Sequence, residues 1–321
     1  VSTRRRFGAL VAALALLATG CAGAGIPVDP APVGTVGQPQ PANVGGADPT
    51  SSGPNSGGCN TDSLPPSSSI TSGSTMAKIQ RRGRLIAGVD QTTYLFGFLN
   101  PANGNLEGFD IEIVKAIATA LFGSWQGHVQ WITIPSSERE NVLKSNAVDI
   151  VVRTYSITCA RLKDVNFSAA YYQAGQRVLV PKDSAVKGLD DLGGKKVCAA
   201  KTSTSLSTIA KAASKPIPVS VSNWSDCLVM LQQGQVDAIS TDDVILAGMA
   251  KQDPNVAVVG SPFTKELYGV GIPKGQEDMV RFVNSVLESV KSNGTWQTNY
   301  DQWIAPVLGH ASPPTVSYSG G

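Results

Sequence analysis

From Arg84 onward, short apolar runs alternate with longer stretches in which apolar residues return every three or four positions. The runs predict strands and the three-to-four period predicts amphipathic helices. Residues 84–90 form the first such run. Residues 109–122 predict a helix, with Ile113, Val114, Ile117 and Leu121 on one face and Gly123 as its stop. A strand is expected at 129–134, Ser137-x-x-Glu140 has the pattern of a capping box opening a short helix, and a third strand is expected at 147–152. After Tyr171-Tyr172 the pattern restarts. It predicts strands at 196–200, 217–221, 238–239, 256–259 and 267–272, and helices at 203–213, 224–233, 242–251, 277–292 and 295–303. Alternation of this kind predicts an α/β fold with mostly parallel sheets, and the restart predicts two such units.

The chain ahead of these elements has a different character. Arg4, Arg5 and Arg6 precede an apolar stretch at 7–18, and Ala18-Thr19-Gly20 place small residues directly before Cys21. That is the layout of a secretory signal peptide at 1–20, and its apolar run is too short to span a bilayer. With the cysteine it resembles a bacterial lipoprotein signal, although Ala18 stands where a Leu is usual. The resemblance implies a lipidated Cys21 and a protein held on the outer face of the bacterial cytoplasmic membrane. Residues 22 to 75 are Gly, Pro, Ser, Asn and Ala with few large apolar side chains. Such a segment cannot offset its ordering entropy by burial, so a flexible, disordered tether is expected over 21–75.

Charge and cysteine usage narrow the function. The net charge is +2, and no basic run follows the signal segment; nucleic-acid binding has no support. Of the five cysteines, setting Cys21 aside leaves an even number in an exported chain, which predicts two disulfides. Cys198 ends a predicted strand and Cys227 lies in a nearby helix, so these pair in the coarse layout; Cys59 with Cys159 follows by exclusion. There is no C-x-x-C, and His128 and His310 are the only histidines, so neither a metal site nor a cofactor is expected.

In open α/β sheets ligands sit beyond the carboxyl ends of strands. After the first strand comes Asp90-Gln91-Thr92-Thr93-Tyr94-Leu95-Phe96. After 147–152 comes Arg153-Thr154-Tyr155-Ser156-Ile157-Thr158, then Arg161. Lys201-Thr202-Ser203-Thr204-Ser205 opens one helix of the second unit, and Ser240-Thr241-Asp242-Asp243 opens another. A hydroxyl-rich helix start suits an anion, an arginine clamps a carboxylate through paired hydrogen bonds, and Asp242 suits an ammonium. Together they describe a site for a zwitterion such as a free amino acid. Each also has a plainer role: the hydroxyls and Asp242 as helix caps, Arg161 as a solvated charge, Tyr94 and Phe96 as core.

From Met76 to Ala305 the chain resembles the polar-amino-acid solute-binding proteins of ABC importers, the glutamine/glutamate-binding family. The resemblance is carried by Gly108-Phe109-Asp110-Ile111-Glu112, Val148-Asp149-Ile150, Ser156-Ile157-Thr158-x-x-Arg161 and Val165-x-Phe167-Ser168-x-x-Tyr171-Tyr172. It continues through Leu189-x-Asp191-Leu192-x-Gly194-Lys195-x-Val197, Gly234-x-Val236-Asp237-Ala238, Tyr268-Gly269-Val270-Gly271-Ile272-Pro273-Lys274-Gly275 and Asn293-Gly294-Thr295. It implies a type II periplasmic-binding-protein fold: two α/β lobes joined by two crossing strands, the first over 76–170 and 269–305, the second over 171–268, with a tail at 306–321. It also implies that Arg161 clamps the ligand carboxylate, with Thr154 and Ser156 beside it. Thr204, Ser205 and Lys201 would contribute from the second lobe, and Asp242 would receive the ammonium. The chain departs from the family at Ser203-Thr204-Ser205, where Gly-Thr-Thr is usual, and at Thr93 and Ser136, where rings are expected; Tyr94 or Phe96 are the substitutes. It departs most at Arg153, where Ala or Gly is usual.

The expected function is therefore non-enzymatic: a monomer that binds a free L-amino acid and delivers it by cleft closure to an ABC permease, or reports it to a membrane sensor. Arg153, aided by Lys201, is expected to receive a side-chain carboxylate, favouring glutamate or aspartate over glutamine or asparagine. The rival placement turns Arg153 outward or pairs it with Asp90. A dehydratase-like enzyme on the same fold is the catalytic alternative, but G-x-S-x-G and H-E-x-x-H are absent, and 188–195 lacks the P-loop spacing.

Overall fold

The computed structural model of the chain describes residues 37–47, 53 and 59–319. The signal segment 1–20, Cys21 and much of the expected tether lie outside the described residues. Two compact units divide between Pro39 and Gln40. Residues 37–39 of the first are irregular backbone, and the second holds every element described below.

Two five-stranded mixed sheets organise that second unit. One runs Val129–Thr133, Leu85–Val89, Ile150–Val151, Gly271–Pro273, Val165–Phe167. Its first three strands are parallel, and Gly271–Pro273 is antiparallel to both neighbours. Parallel neighbours need a crossover, which Phe109–Phe122 and Arg139–Lys144 provide. The other sheet runs Ile217–Val221, Lys196–Ala200, Ala238–Asp242, Gln176–Pro181, Val256–Val259. It repeats the scheme, with Gln176–Pro181 antiparallel to the strands on either side.

Between the sheets, Tyr172–Ala174 pairs antiparallel with Glu266–Tyr268 as a two-stranded crossing ribbon. The single strand expected at 267–272 is thus two strands, Glu266–Tyr268 in the ribbon and Gly271–Pro273 in the first lobe. The break falls at Gly269, where a Cβ would come within 2.9 Å of the Ile157 side chain. A small antiparallel meander, Thr92–Thr93, Gly97–Leu99 and Leu106–Glu107, follows the first strand. The helix Phe109–Phe122 occupies the span its period predicts, and Ile113, Val114, Ile117 and Leu121 are buried. Each such side chain contributes roughly 1.5–3 kcal/mol of hydrophobic stabilisation.

The tether expectation requires correction at its C-terminal end. Residues 59–74 lie against the first lobe. Cys59 is bonded to Cys159, Ser63 Oγ donates to Phe167 O at 3.1 Å, Asn284 Nδ2 donates to Leu64 O at 2.6 Å, and Arg281 Nη1 donates to Pro65 O at 3.0 Å. Earlier, Gly45 exchanges backbone hydrogen bonds with Ser220 at 2.9 and 2.8 Å. These stretches are held by a covalent bond and by polar contacts, so their lack of apolar side chains does not leave them free. The tail joins in, with Ser319 N donating to Ser63 O at 2.8 Å. The second disulfide, Cys198–Cys227, fixes Lys196–Ala200 to the helix Trp224–Gln232. Disulfides of this kind stabilise by roughly 2–4 kcal/mol each. Among the described residues no helix is long and apolar enough to cross a membrane.

Candidate functional site

The first-lobe wall is built just past the strands Ile150–Val151 and Val129–Thr133. Thr154 has φ 41°, a conformation that is uncommon for a β-branched residue. It is held there by Asp110, whose Oδ2 accepts from Thr154 N at 2.8 Å while its Oδ1 accepts from Tyr171 OH at 2.6 Å. Burial raises the Asp110 carboxyl to about 7, against the lowering effect of those two donors. Arg161 is buried; its Nη1 donates to Ser156 O at 2.7 Å and its Nη2 to Thr202 O at 3.0 Å, the latter on the second lobe. Arg139, from the helix after Val129–Thr133, donates through Nε to Ser136 O at 2.9 Å. Both guanidinium groups lie on the Tyr155 ring, Arg139 at 4.5 Å and Arg161 at 4.8 Å from its centroid. Burial, together with the nearby Arg161 and Arg153, pushes Arg139 down to about 9, so it stays cationic at neutral pH.

The second-lobe wall uses two helix starts. Ser203 is the N-cap of Thr204–Lys211, accepting from Leu206 N at 3.1 Å. That leaves Thr204 and Ser205 with side chains not spent on capping; Ser205 Oγ lies 3.0 Å from Thr241 Oγ1. Asp242 stands at the N-cap position of Asp243–Gln252 but makes no capping bond. Its Oδ2 accepts from Tyr268 OH on the crossing ribbon, and its Oδ1 is buried with no donor among the described residues. Trp224, first residue of its helix, is buried with an indole N–H that likewise has no partner there.

These groups converge on a small, nearly shut cavity of about 10 Å3 between the lobes, lined by Arg139, Thr154, Ser156, Arg161, Ser203, Thr204, Ser205, Trp224, Thr241, Asp242 and Ile245. The lobes also touch directly, Thr202 Oγ1 donating to Ser136 O at 3.2 Å. A wider groove beside Glu112, Trp125 and Phe282 lies on the first lobe's helices, away from the strand ends.

Of the residues singled out from sequence, Thr154, Ser156, Arg161, Thr204, Ser205 and Asp242 line the cavity; Asp90, Tyr94, Phe96, Arg153 and Lys201 do not. Arg153 is instead fully buried in a socket of its own. Its Nε donates to Ile134 O at 2.6 Å, its Nη1 to Ser136 Oγ at 2.5 Å, and its Nη2 is 2.9 Å from Asp90 Oδ2. Asp90 is spent on that pair and on Gln91 N, Thr92 N and the hydroxyls of Thr92 and Thr93. Phe96 is core, packed on Phe109, Tyr172 and Tyr268. Tyr94 packs edge-on against Phe98, and Lys201 is exposed. The residues missed are Arg139 and Trp224. Arg139 opens the helix Arg139–Lys144 in a charged stretch that reads as a solvated face, so no local signal marks it.

Residues 85–306 match the model of the bacterial extracellular solute-binding proteins, family 3. The chain belongs to that family. This solute-binding protein is 38% identical over 231 residues to the ABC transporter glutamine-binding protein GlnH of Bacillus subtilis, covering 72% of this chain and 84% of that one. It is 31% identical over 212 residues to the glutamate-binding protein GluB of Corynebacterium glutamicum, covering 63% and 72%. Among solved structures, an ancestral arginine-binding protein bound to glutamine superposes with a TM-score of 0.66 at 35% identity, covering 71% of this chain and 99% of that one. The ancestral amino acid-binding protein AncCDT-1, a precursor of cyclohexadienyl dehydratase, gives 0.66 at 33% identity, covering 72% and 99%. The type II periplasmic-binding-protein architecture implied by the sequence is thus the fold of the solute-binding protein.

Proposed function

We propose that this solute-binding protein captures a free acidic L-amino acid, glutamate or aspartate, between its lobes and presents the closed complex to an ABC permease. The observation that carries this is the charge layout of the cavity: two buried guanidinium groups, Arg139 and Arg161, share it with Asp242. An acidic amino acid has two carboxylates and one ammonium, the complement of that wall. Arg161, with Thr204 and Ser205 opposite, takes the α-carboxylate; Arg139 takes the side-chain carboxylate in the role the sequence suggested for Arg153; Asp242 takes the ammonium. The Trp224 N–H supplies a further donor. Because Arg161 and Thr202 meet across the lobes, ligand contacts to both walls exist only in the closed state, and that difference in affinity drives closure. Relatives named for glutamine and for glutamate are both consistent with an α-amino-acid site. The lipid on Cys21 belongs to the same proposal, as the link that keeps the closed complex near the membrane.

Titration calorimetry of the purified protein with glutamate, aspartate, glutamine and asparagine tests this reading. Tighter binding of the acidic pair is expected. Equal or tighter binding of glutamine removes the acidic preference, and no binding of any of the four removes the site.

A further inference from the structure

Glu266 is two residues before Tyr268 on the crossing strand, so both side chains leave the ribbon on the same face. That face looks toward the cavity, because the Tyr268 hydroxyl ends on the Asp242 carboxylate. Glu266 is 2% exposed and Asp242 4% exposed. Ser156 from the first lobe, and Thr204 and Thr264 from the second, hydrogen-bond to the Glu266 carboxylate. Yet Glu266 Oε1 and Asp242 Oδ1 are each buried with no hydrogen-bond donor among the described residues. No ion pair within 4 Å joins either carboxylate to a cation among those residues.

Two buried carboxylates that feel one another and have no cation in contact do not both ionise; one proton is shared. Asp242 is faced by Glu266, Tyr268, Asp243 and, more distantly, Arg139; Glu266 is faced by Asp242 and by Arg161. Burial is the largest influence on both carboxylates and raises both, while Arg161 opposes it for Glu266 and Arg139 for Asp242.

We infer that Glu266 is a positioning residue that forms an acid pair with Asp242, and that ligand binding is proton-linked. In the empty cleft the pair holds one proton between its carboxylates. The ligand ammonium, arriving at Asp242, replaces that proton as the neutralising charge, and the proton leaves to solvent. Charge balances: one proton goes out as one ammonium comes in. This rests on the assignment of the ligand ammonium to Asp242.

The test is calorimetric titration of the full protein with L-glutamate and with L-glutamine at pH 6.5, in phosphate and in imidazole. The apparent enthalpies are expected to differ between buffers, because a proton is released as the ligand binds. Affinity is expected to rise with pH while the empty pair still carries its proton, by up to tenfold per unit where release is complete. Both ligands should show it, because their α-ammonium is common to them. The Glu266→Gln variant keeps the hydroxyl contacts but removes the second acid; burial still raises Asp242, so the variant should release a measurably smaller share of a proton than the wild type at the same pH. Binding with the same enthalpy in both buffers overturns the proton linkage and leaves the amino-acid site standing. Equal proton release from the wild type and the variant overturns the role of Glu266. Binding of neither ligand takes down the site reading and this inference together.

Discussion

Arg153 and the Arg139–Arg161 pair lie within one lobe, and all three guanidinium groups are buried. Their surroundings differ in kind. Arg153 meets a carboxylate, a carbonyl and a hydroxyl in a closed socket. Arg139 and Arg161 lean on the Tyr155 ring, spend hydrogen bonds on backbone carbonyls, and turn toward the cavity. Arg161 has one carboxylate within 4 Å among the described residues, Glu140, at 3.4 Å and half-exposed, with the buried Glu266 feeling its charge from farther off. A buried cation with a buried counter-ion is part of the fold; buried cations at a cavity wall are ready for an anion from outside. Burial alone therefore does not mark a binding arginine, and the identity of its partners does.

The sharpest way to break that contrast is Arg153→Ala. Removing one member of a buried ion pair leaves Asp90 uncompensated, which costs about 3–5 kcal/mol of folding stability. Urea denaturation should show that loss, and Arg153→Ala combined with Asp90→Asn should recover part of it. The ratio of glutamate to glutamine affinity should stay where it is in the wild type. A changed ratio with unchanged stability would return Arg153 to the binding site.

Arg161→Ala should behave in the opposite way. Truncating one partner of a desolvated charge pair costs about 2–5 kcal/mol of binding, tens- to thousands-fold in Kd. Calorimetry should show that loss for glutamate and glutamine alike, since the α-carboxylate is common to both. The fall in stability should be smaller than for Arg153→Ala, because the carboxylate in contact with Arg161, Glu140, is half-exposed, and the buried Glu266 makes no ion pair with it within 4 Å that could be broken.

Much of this contrast was legible in the sequence, and the illegible part has physical reasons. The helices Phe109–Phe122, Glu277–Ser292 and Thr295–Trp303 fall on their predicted spans because each buries an apolar face of its own. Arg161, Thr154, Ser156, Thr204, Ser205 and Asp242 could be placed at the cavity from sequence because strand ends and helix starts are local signals. Arg139 sits in Ser-Glu-Arg-Glu-Asn, which reads as a solvated helix face; only its tertiary contacts, with Ser136 O and the Tyr155 ring, bury it. Glu266 is hidden for the same reason, next to Lys265 in a strand whose pairing partner is more than ninety residues earlier. Arg153 was found by position and misjudged by direction. Its side chain turns back to Ile134 O and Asp90, a choice set by neighbours from two other segments. Segment 59–74 shows the same limit, since a disulfide to Cys159 and bonds to Asn284 and Arg281 lie far away in sequence.

Arg139→Gln is the finest test, because it separates the two arginines of the cavity from each other. Gln can still reach a backbone carbonyl, so the local loop should hold and stability should change little. What goes is the charge offered to a side-chain carboxylate, and a hydrogen bond to a charged group is worth about 1.5–3 kcal/mol. Glutamate affinity should therefore fall by roughly ten- to a hundredfold, while glutamine, which brings a neutral amide to the same place, should lose less. The preference for glutamate should narrow or invert, as read by paired titrations at one pH and salt concentration. An equal loss for both ligands would mean that Arg139 supports the α-carboxylate subsite through Arg161 and Tyr155. The acidic preference would then have to come from elsewhere on the wall, with the Trp224 N–H as the next donor to change.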